Sequence, residues 1–253
     1  MPTPPFGFCA ENLKHRICHR KFKFILAHHL QYILQMKKLV VILLLSITAA
    51  ACGQTKVNRV LQKQLDSIMV KDQLYRDTLS LLMDPIKGDS IAKTLSLTKQ
   101  QASGRFWTKQ DRLDSLNLVF IEGLITKYGY PGKTLVDTPA NETAWYVIQH
   151  SPKIEKYLPV IKKAAESGEL PFRLYAMMLD RQLMQRKQEQ VYGTQVSCGL
   201  LKKDKNECFV WPIKDAATVN ERRKKAGFTQ TVEENALRLN VKYRVVEMDE
   251  IEK

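Results

Sequence analysis

The chain has 253 residues, 44% of them hydrophobic, and a formal net charge of +14. That hydrophobic content is ordinary for a globular chain long enough to bury a core. The charge does not indicate nucleic acid, because residues 1–52 hold seven of the 40 Lys+Arg and one of the 26 Asp+Glu, leaving 33 against 25, a mild surplus of 8.

Residues 1–35 are basic, carry Cys9 and Cys18 and show no clear periodicity; they read as upstream sequence translated in frame, with Met36 as the expected start. Lys37 and Lys38 precede an uncharged run from Leu39 to Ala51. That run is too short for a bilayer core, which needs about 20 apolar residues. A positive start, a short apolar stretch and the small residues Ala49, Ala50 and Ala51 describe a secretory signal peptide over 36–52. Cys52 followed by Gly53 resembles a bacterial lipobox, which implies acylation of Cys52 and a membrane partner reached through an N-terminal acyl anchor. Ala49 stands where such signals more often carry Leu. Cleavage after Ala51, giving a soluble secreted protein, and a retained membrane helix are the alternatives. The expected location is the bacterial cell envelope, on the periplasmic or outer-membrane face. His15, His19, His28 and His29 all fall in this leader, so the mature part has one histidine, His150.

A single α-helical domain is expected over 53–241, followed by a tail over 242–253. From Val57 to Leu82 apolar residues recur at helical steps, and one step lands on Asp72, with Arg76 four residues on as its natural partner. The spacing predicts one long helix whose seam is interrupted by a carboxylate; an outward bend that gives Asp72 to water is the alternative. DPIKGDS reads as a turn, IAKTLSLTKQQA as a short helix and Trp107 as a core anchor. A helix follows from about Asp111 to Tyr128, with Leu113, Leu116, Phe120 and Leu124 on one face, stopped by Gly129 and Pro131. Thr138 and Pro139 suggest the N-cap and first turn of a helix that ends at His150, with Ser151 capping the next. That next helix carries Pro159 and ends near Gly168. PFRLYAMMLDRQLMQRK is apolar on most sides and predicts a central, buried helix with Asp180 and Arg181 in its middle. Cys198 and Cys208 flank a polar turn between two strand-like stretches. Their spacing fits a cross-strand disulfide, although hairpin pairs often miss the required geometry. A short helix through NERRKKAG and a last one opened by TVEE complete the domain. The tail from Lys242 alternates like a strand and reads as mobile. The fold class is mainly α, with a small β-hairpin near the C-terminal third.

The strings YGYPG, AWYVIQHS, KYLPVIKKAAESGELP, LDRQLMQRKQEQVYGTQ and PIKDAATVNERRKKAGF, in that order, resemble the bacterial domain of unknown function 6624 family, from about Leu65 to Leu239. The resemblance implies no activity, cofactor or catalytic residue. One departure is Asn220, where the family more often has Asp ahead of Arg222 and Arg223.

Function must therefore be argued from polar residues where a helical core does not need them, since each costs about 1 to 3 kcal/mol when buried without a partner. His150, Asp180 and Asp72 are the candidate catalytic residues, with His150 as general acid or base because it titrates near neutrality. Arg76, Gln149, Arg181, Gln190, Tyr192, Gln195, Arg222 and Arg223 are the candidate ligand-binding residues; guanidinium and amide groups suit carboxylates and phosphates. The structural alternative is that the aspartates form internal ion pairs and His150 caps a helix. No metal site is expected, because one His and two Cys do not make a zinc set. No cofactor is expected, Gly-rich phosphate loops being absent. GxSxG is absent too. The leading reading is an envelope protein that binds a small anionic or peptide-like ligand, or a protein partner, in a cleft around His150 and Tyr192. A hydrolase or lyase using His150 with Asp72 or Asp180 is the second, and a purely structural envelope protein the third.

Overall fold

The computed structural model describes residues 56–252 together with Gln35. The leader, the signal-like segment and Cys52 lie outside the described residues. The chain divides into two compact units, Met1–Gln54 and Thr55–Lys253, and the elements named below belong to the second. It is mainly α-helical with one two-stranded antiparallel hairpin. Among the described residues no helix is long and apolar enough to cross a membrane.

The long helix expected over 57–82 is two. Helix α1 spans Arg59–Gln73, capped by the Asn58 side chain, and α2 spans Arg76–Met83. The break follows Asp72, which is fully buried rather than turned to water. DPIKGDS is not a turn: the Asp84 side chain accepts from the Ile86 and Lys87 N–H groups, Pro85 sits in the first turn, and α3 runs over Pro85–Thr94. Helix α4 then spans Lys99–Tyr128, starting about twelve residues before the apolar pattern becomes readable. Its start is set by a capping box, Thr98 with Gln101, in a stretch with little apolar periodicity. Trp107 is 49% exposed and anchors no core, and Leu116 is 60% exposed, off the buried face. The buried stripe of α4 runs instead through Ala102, Gln110, Asn117 and Ile121.

Gly129 closes α4 at φ 73°. After the short α5, Lys133–Val136, the chain enters α6, Thr143–Gln149, through a 3-10 turn rather than a Thr138 cap. Helix α7, Ile154–Glu166, accommodates Pro159 within its length and stops before Gly168. Ser151 donates to the Ile148 carbonyl and accepts from the Lys153 N–H, so it bridges α6 and α7 without being the cap residue of α7, which is Lys153. Helix α8, Phe172–Gln185, buries Leu174, Tyr175, Ala176 and Met178 as expected of a central helix. The main core joins α1, α4, α6, α7 and α8 around Trp145, whose indole N–H donates to the Leu174 carbonyl at 2.8 Å. A small separate core of Leu82, Ala92 and Ala102 holds α2, α3 and the start of α4 together.

Strand β1, Val196–Cys198, pairs with β2, Cys208–Val210, in a register that sets Cys198 against Cys208, and the two are joined by a disulfide. Helices α9, Val219–Lys225, and α10, Val232–Arg238, pack on the hairpin, α10 opening on the Thr231–Glu234 capping box. The tail is not free. Val246 and Ile251 are buried against Leu201, Phe209 and Trp211, and Ile251 bridges to Leu201. These two apolar side chains find a surface on the hairpin, and that docks the segment.

Candidate functional site

Asp72 lies in the last turn of α1, where the negative end of the helix dipole disfavours a carboxylate. Three groups gather on its Oδ2. The Gln73 side-chain amide donates at 2.7 Å, His150 Nδ1 stands at 3.3 Å, and Arg76 Nε at 3.6 Å. Arg76 makes its short bond elsewhere, from Nη2 to Asp114 Oδ2 at 2.6 Å. The Gln110 amide ties the two sides together, donating to the Asp72 carbonyl at 3.0 Å and to Asp114 Oδ1 at 2.7 Å. His150 closes the C-terminus of α6, and Arg181 of α8 donates from Nη1 to the Gln149 carbonyl at 3.1 Å. The break between α1 and α2, the middle of α4, the end of α6 and the middle of α8 thus meet at one place.

This network is incompletely satisfied. Asp72 Oδ1, Arg76 Nε, Gln110 Oε1 and His150 Nδ1 are buried with no hydrogen-bond partner; Asn117 Nδ2 and Asn141 Oδ1 are the other such atoms among the described residues. Buried polar groups in folded proteins are nearly always bonded; here Arg76 Nε and His150 Nδ1 reach Asp72 Oδ2 only at ion-pair distance, and Asp72 Oδ1 and Gln110 Oε1 meet no donor at all. Arg181 has no carboxylate partner among the described residues; burial, and then the charge of Arg76, hold its pKa below the usual arginine value. A desolvated guanidinium beside a second one favours an added anion. His150 turns Nδ1 toward the buried Asp72 carboxylate at 3.3 Å without completing a hydrogen bond to it. Among the described residues no group of three His, Cys, Asp or Glu is placed to hold a metal ion.

The other candidates form a second network. Asp180 accepts at Oδ1 from the Val191 N–H at 2.8 Å and the Tyr192 N–H at 3.1 Å, and at Oδ2 from the Thr194 N–H at 3.0 Å and hydroxyl at 2.9 Å. Burial pushes its carboxyl above the usual aspartate value, against the pull of these four donors. Gln190 donates to the Gln195 and Trp211 carbonyls and accepts from the Gln195 N–H. Gln195 in turn donates its side-chain amide to the Thr194 hydroxyl. Arg222 donates to the carbonyls of Val191, Lys214 and Asp215, and Arg223 to those of Tyr192 and Gln230 while lying over the Phe228 ring at 4.5 Å. Gly193 supplies the turn at φ 67°. These bonds latch the VYGTQ segment to α8 and α9. Burial raises the pKa of the Tyr192 phenol in the same place. Asn220 accepts from the Val232 N–H and donates to Glu233, tying α9 to α10; beside Glu233 an amide suits this position better than a second carboxylate.

The structure therefore brings together Asp72, Arg76, His150 and Arg181 with the Gln149 backbone, and gathers Asp180, Gln190, Tyr192, Gln195, Arg222 and Arg223 into the latch. The family model described as "Family of unknown function (DUF6624)" matches residues 99–245. The chain belongs to this family. The DUF6624 match takes in Gln110, Asp114, His150, Arg181 and the whole latch, and begins after Asp72 and Arg76. Comparison with curated proteins and with solved structures returns no match. Gln110 and Asp114 were not among the residues singled out from the sequence. They stand four apart on α4, and the polar interruptions of its buried stripe, Gln110 and Asn117, are the same kind of signal that marks Asp72.

Proposed function

We propose that this DUF6624 protein is an envelope lipoprotein that binds a small anionic or peptide-like ligand at the polar site around His150, with Arg76 and Arg181 as the anion-holding groups. The four buried polar atoms at Asp72, Arg76, Gln110 and His150 that make no hydrogen bond carry this reading, because groups that serve only to hold helices together are normally hydrogen-bonded when buried. The Cys198–Cys208 disulfide supports an oxidising compartment, and the lipobox-like Cys52 supports the anchor. Titration of the full chain with succinate, phosphate and N-acetyl-dialanine, followed by calorimetry, tests it. Saturable binding is expected for at least one probe, weakened about tenfold or more by Arg181→Ala through loss of a charge-assisted contact. No saturable binding by any of the three would return the protein to a structural role.

The 3.3 Å approach of His150 Nδ1 to Asp72 Oδ2 favours a second reading, a hydrolase or lyase with His150 as acid or base and Asp72 orienting it. The two part on His150→Gln, which abolishes turnover of a substrate in the enzyme and only weakens binding in the receptor.

A further inference from the structure

A groove of about 540 Å³ lies between α1 and α4 and shares no residue with the His150 network. Val60, Leu116 and Phe120 give it apolar walls, Lys63 and Lys71 add two cations, and the buried Asn117 lines it as well. Three observations say what it would take. Val60 and Leu116 are 72% and 60% exposed, an apolar face that a helix surface normally keeps polar. Lys63 and Lys71 form no ion pair among the described residues, and no carboxylate lines the groove. Asn117 Nδ2 is buried without an acceptor. The volume falls in the range of about 300 to 1,000 Å³ typical of small-ligand sites, whose walls are mostly apolar with a few directing polar groups.

We propose that the α1–α4 groove binds a long-chain carboxylate, the alkyl chain on Val60, Leu116 and Phe120 and the anionic head at the lysines and the Asn117 amide. The two charges select an anion and the walls select its tail. A neutral amphiphile forgoes the attraction of both lysines, and a small hydrophilic anion would leave the walls in water. The site is separate from the one proposed above, so His150→Gln leaves it intact.

The test is calorimetric titration of the full chain with decanoate below its micelle threshold, and with decan-1-ol as the neutral-headed partner. Saturable one-to-one binding of decanoate is expected, with decan-1-ol bound about fivefold or more weakly. Leu116→Asp and Val60→Asp, both at exposed positions, are expected to weaken decanoate about tenfold or more each. The charge reversal Lys63→Glu with Lys71→Glu is expected to weaken decanoate and not decan-1-ol. His150→Gln is expected to change neither. Absence of saturation, equal binding of the two probes, or wild-type affinity in both aspartate variants would overturn the proposal.

Discussion

Asp72 and Asp180 are both completely buried helical aspartates, yet replacing each by asparagine should have opposite consequences. In Asp180→Asn, one carboxylate oxygen becomes an NH2 group. At Oδ1 that donor faces the Val191 and Tyr192 N–H groups; at Oδ2 it faces the Thr194 N–H and makes the Thr194 hydroxyl turn from donor to acceptor, so either way two bonds to the carboxylate are lost. Two charge-assisted bonds are lost at about 1.5 kcal/mol each, partly offset by relief of the buried charge, for a net loss of about 2 to 3 kcal/mol. In Asp72→Asn the surviving carbonyl oxygen still accepts from Gln73, and Arg76 keeps its 2.6 Å bond to Asp114. No charge is stranded and a carboxylate is removed from the negative end of α1, while the oxygen without a partner becomes an NH2 group in the same place. These gains balance the lost attraction to Arg76 and His150, so the change should stay within about 1 kcal/mol. Urea unfolding of the full chain at pH 7, followed by circular dichroism, measures both. At about 2 to 4 °C per kcal/mol for a domain of this size, Asp180→Asn should also melt about 5 to 10 °C lower. A loss of about 2 kcal/mol or more in Asp72→Asn, matching Asp180→Asn, would refute the division into site and scaffold.

Glu122 accepts from the Tyr157 hydroxyl and from Lys153 and Lys156, first among them the hydroxyl, and its carboxyl is pulled down to about 2. A depressed acid contributes stability above its unfolded pKa and loses it as pH falls through the folded one. With a side chain 22% exposed, Glu122→Gln should cost about 1 to 2 kcal/mol at pH 7, and the difference should close between pH 4.5 and about 2; a constant difference across acid unfolding curves would contradict the assignment. The disulfide closes a short loop, so Cys198→Ser with Cys208→Ser should lose about 2 to 3 kcal/mol, and added reductant should bring the parent to the same midpoint. Gly193 sits at φ 67°, and a Cβ there would lie 2.7 Å from Val232 Cγ2 and 2.8 Å from Ile213 Cδ1. Gly193→Ala should therefore loosen the latch by about 1 to 3 kcal/mol, seen as faster amide exchange of Val191 and Thr194.

What the sequence made legible was whatever rests on local chemistry. TVEE is a capping box because Thr and Glu three apart can satisfy each other's orphan groups. The central helix was readable because apolar residues on most sides leave no other place for it. Asp72 was readable as an anomaly, a carboxylate on an apolar seam. The failures share a cause in tertiary context. Helix α4 begins at Lys99, where its exposed first turns have no apolar period to show. Trp107 looked like core by size alone, and size does not bury a side chain that no neighbour covers. The tail looked mobile because the hairpin surface that receives Val246 and Ile251 is assembled from distant residues. The candidate residues divided into two networks for the same reason: Asp180 and Arg181 are adjacent in sequence, but their side chains are used in different networks, and only packing decides which partners each one meets.

The separate small core of Leu82, Ala92 and Ala102 gives the candidate site an unequal parentage. Arg76 opens α2 and belongs to the lesser body, whereas His150 and Arg181 belong to elements of the greater one. Contiguous elements with few buried apolar contacts open at lower free energy than the rest of a molecule. Detachment of α2 and α3 would carry one guanidinium away and leave the imidazole and the other in place. A ligand spanning both would then act as a clasp, so its concentration should slow hydrogen exchange in α2 and α3 while leaving α7 unchanged.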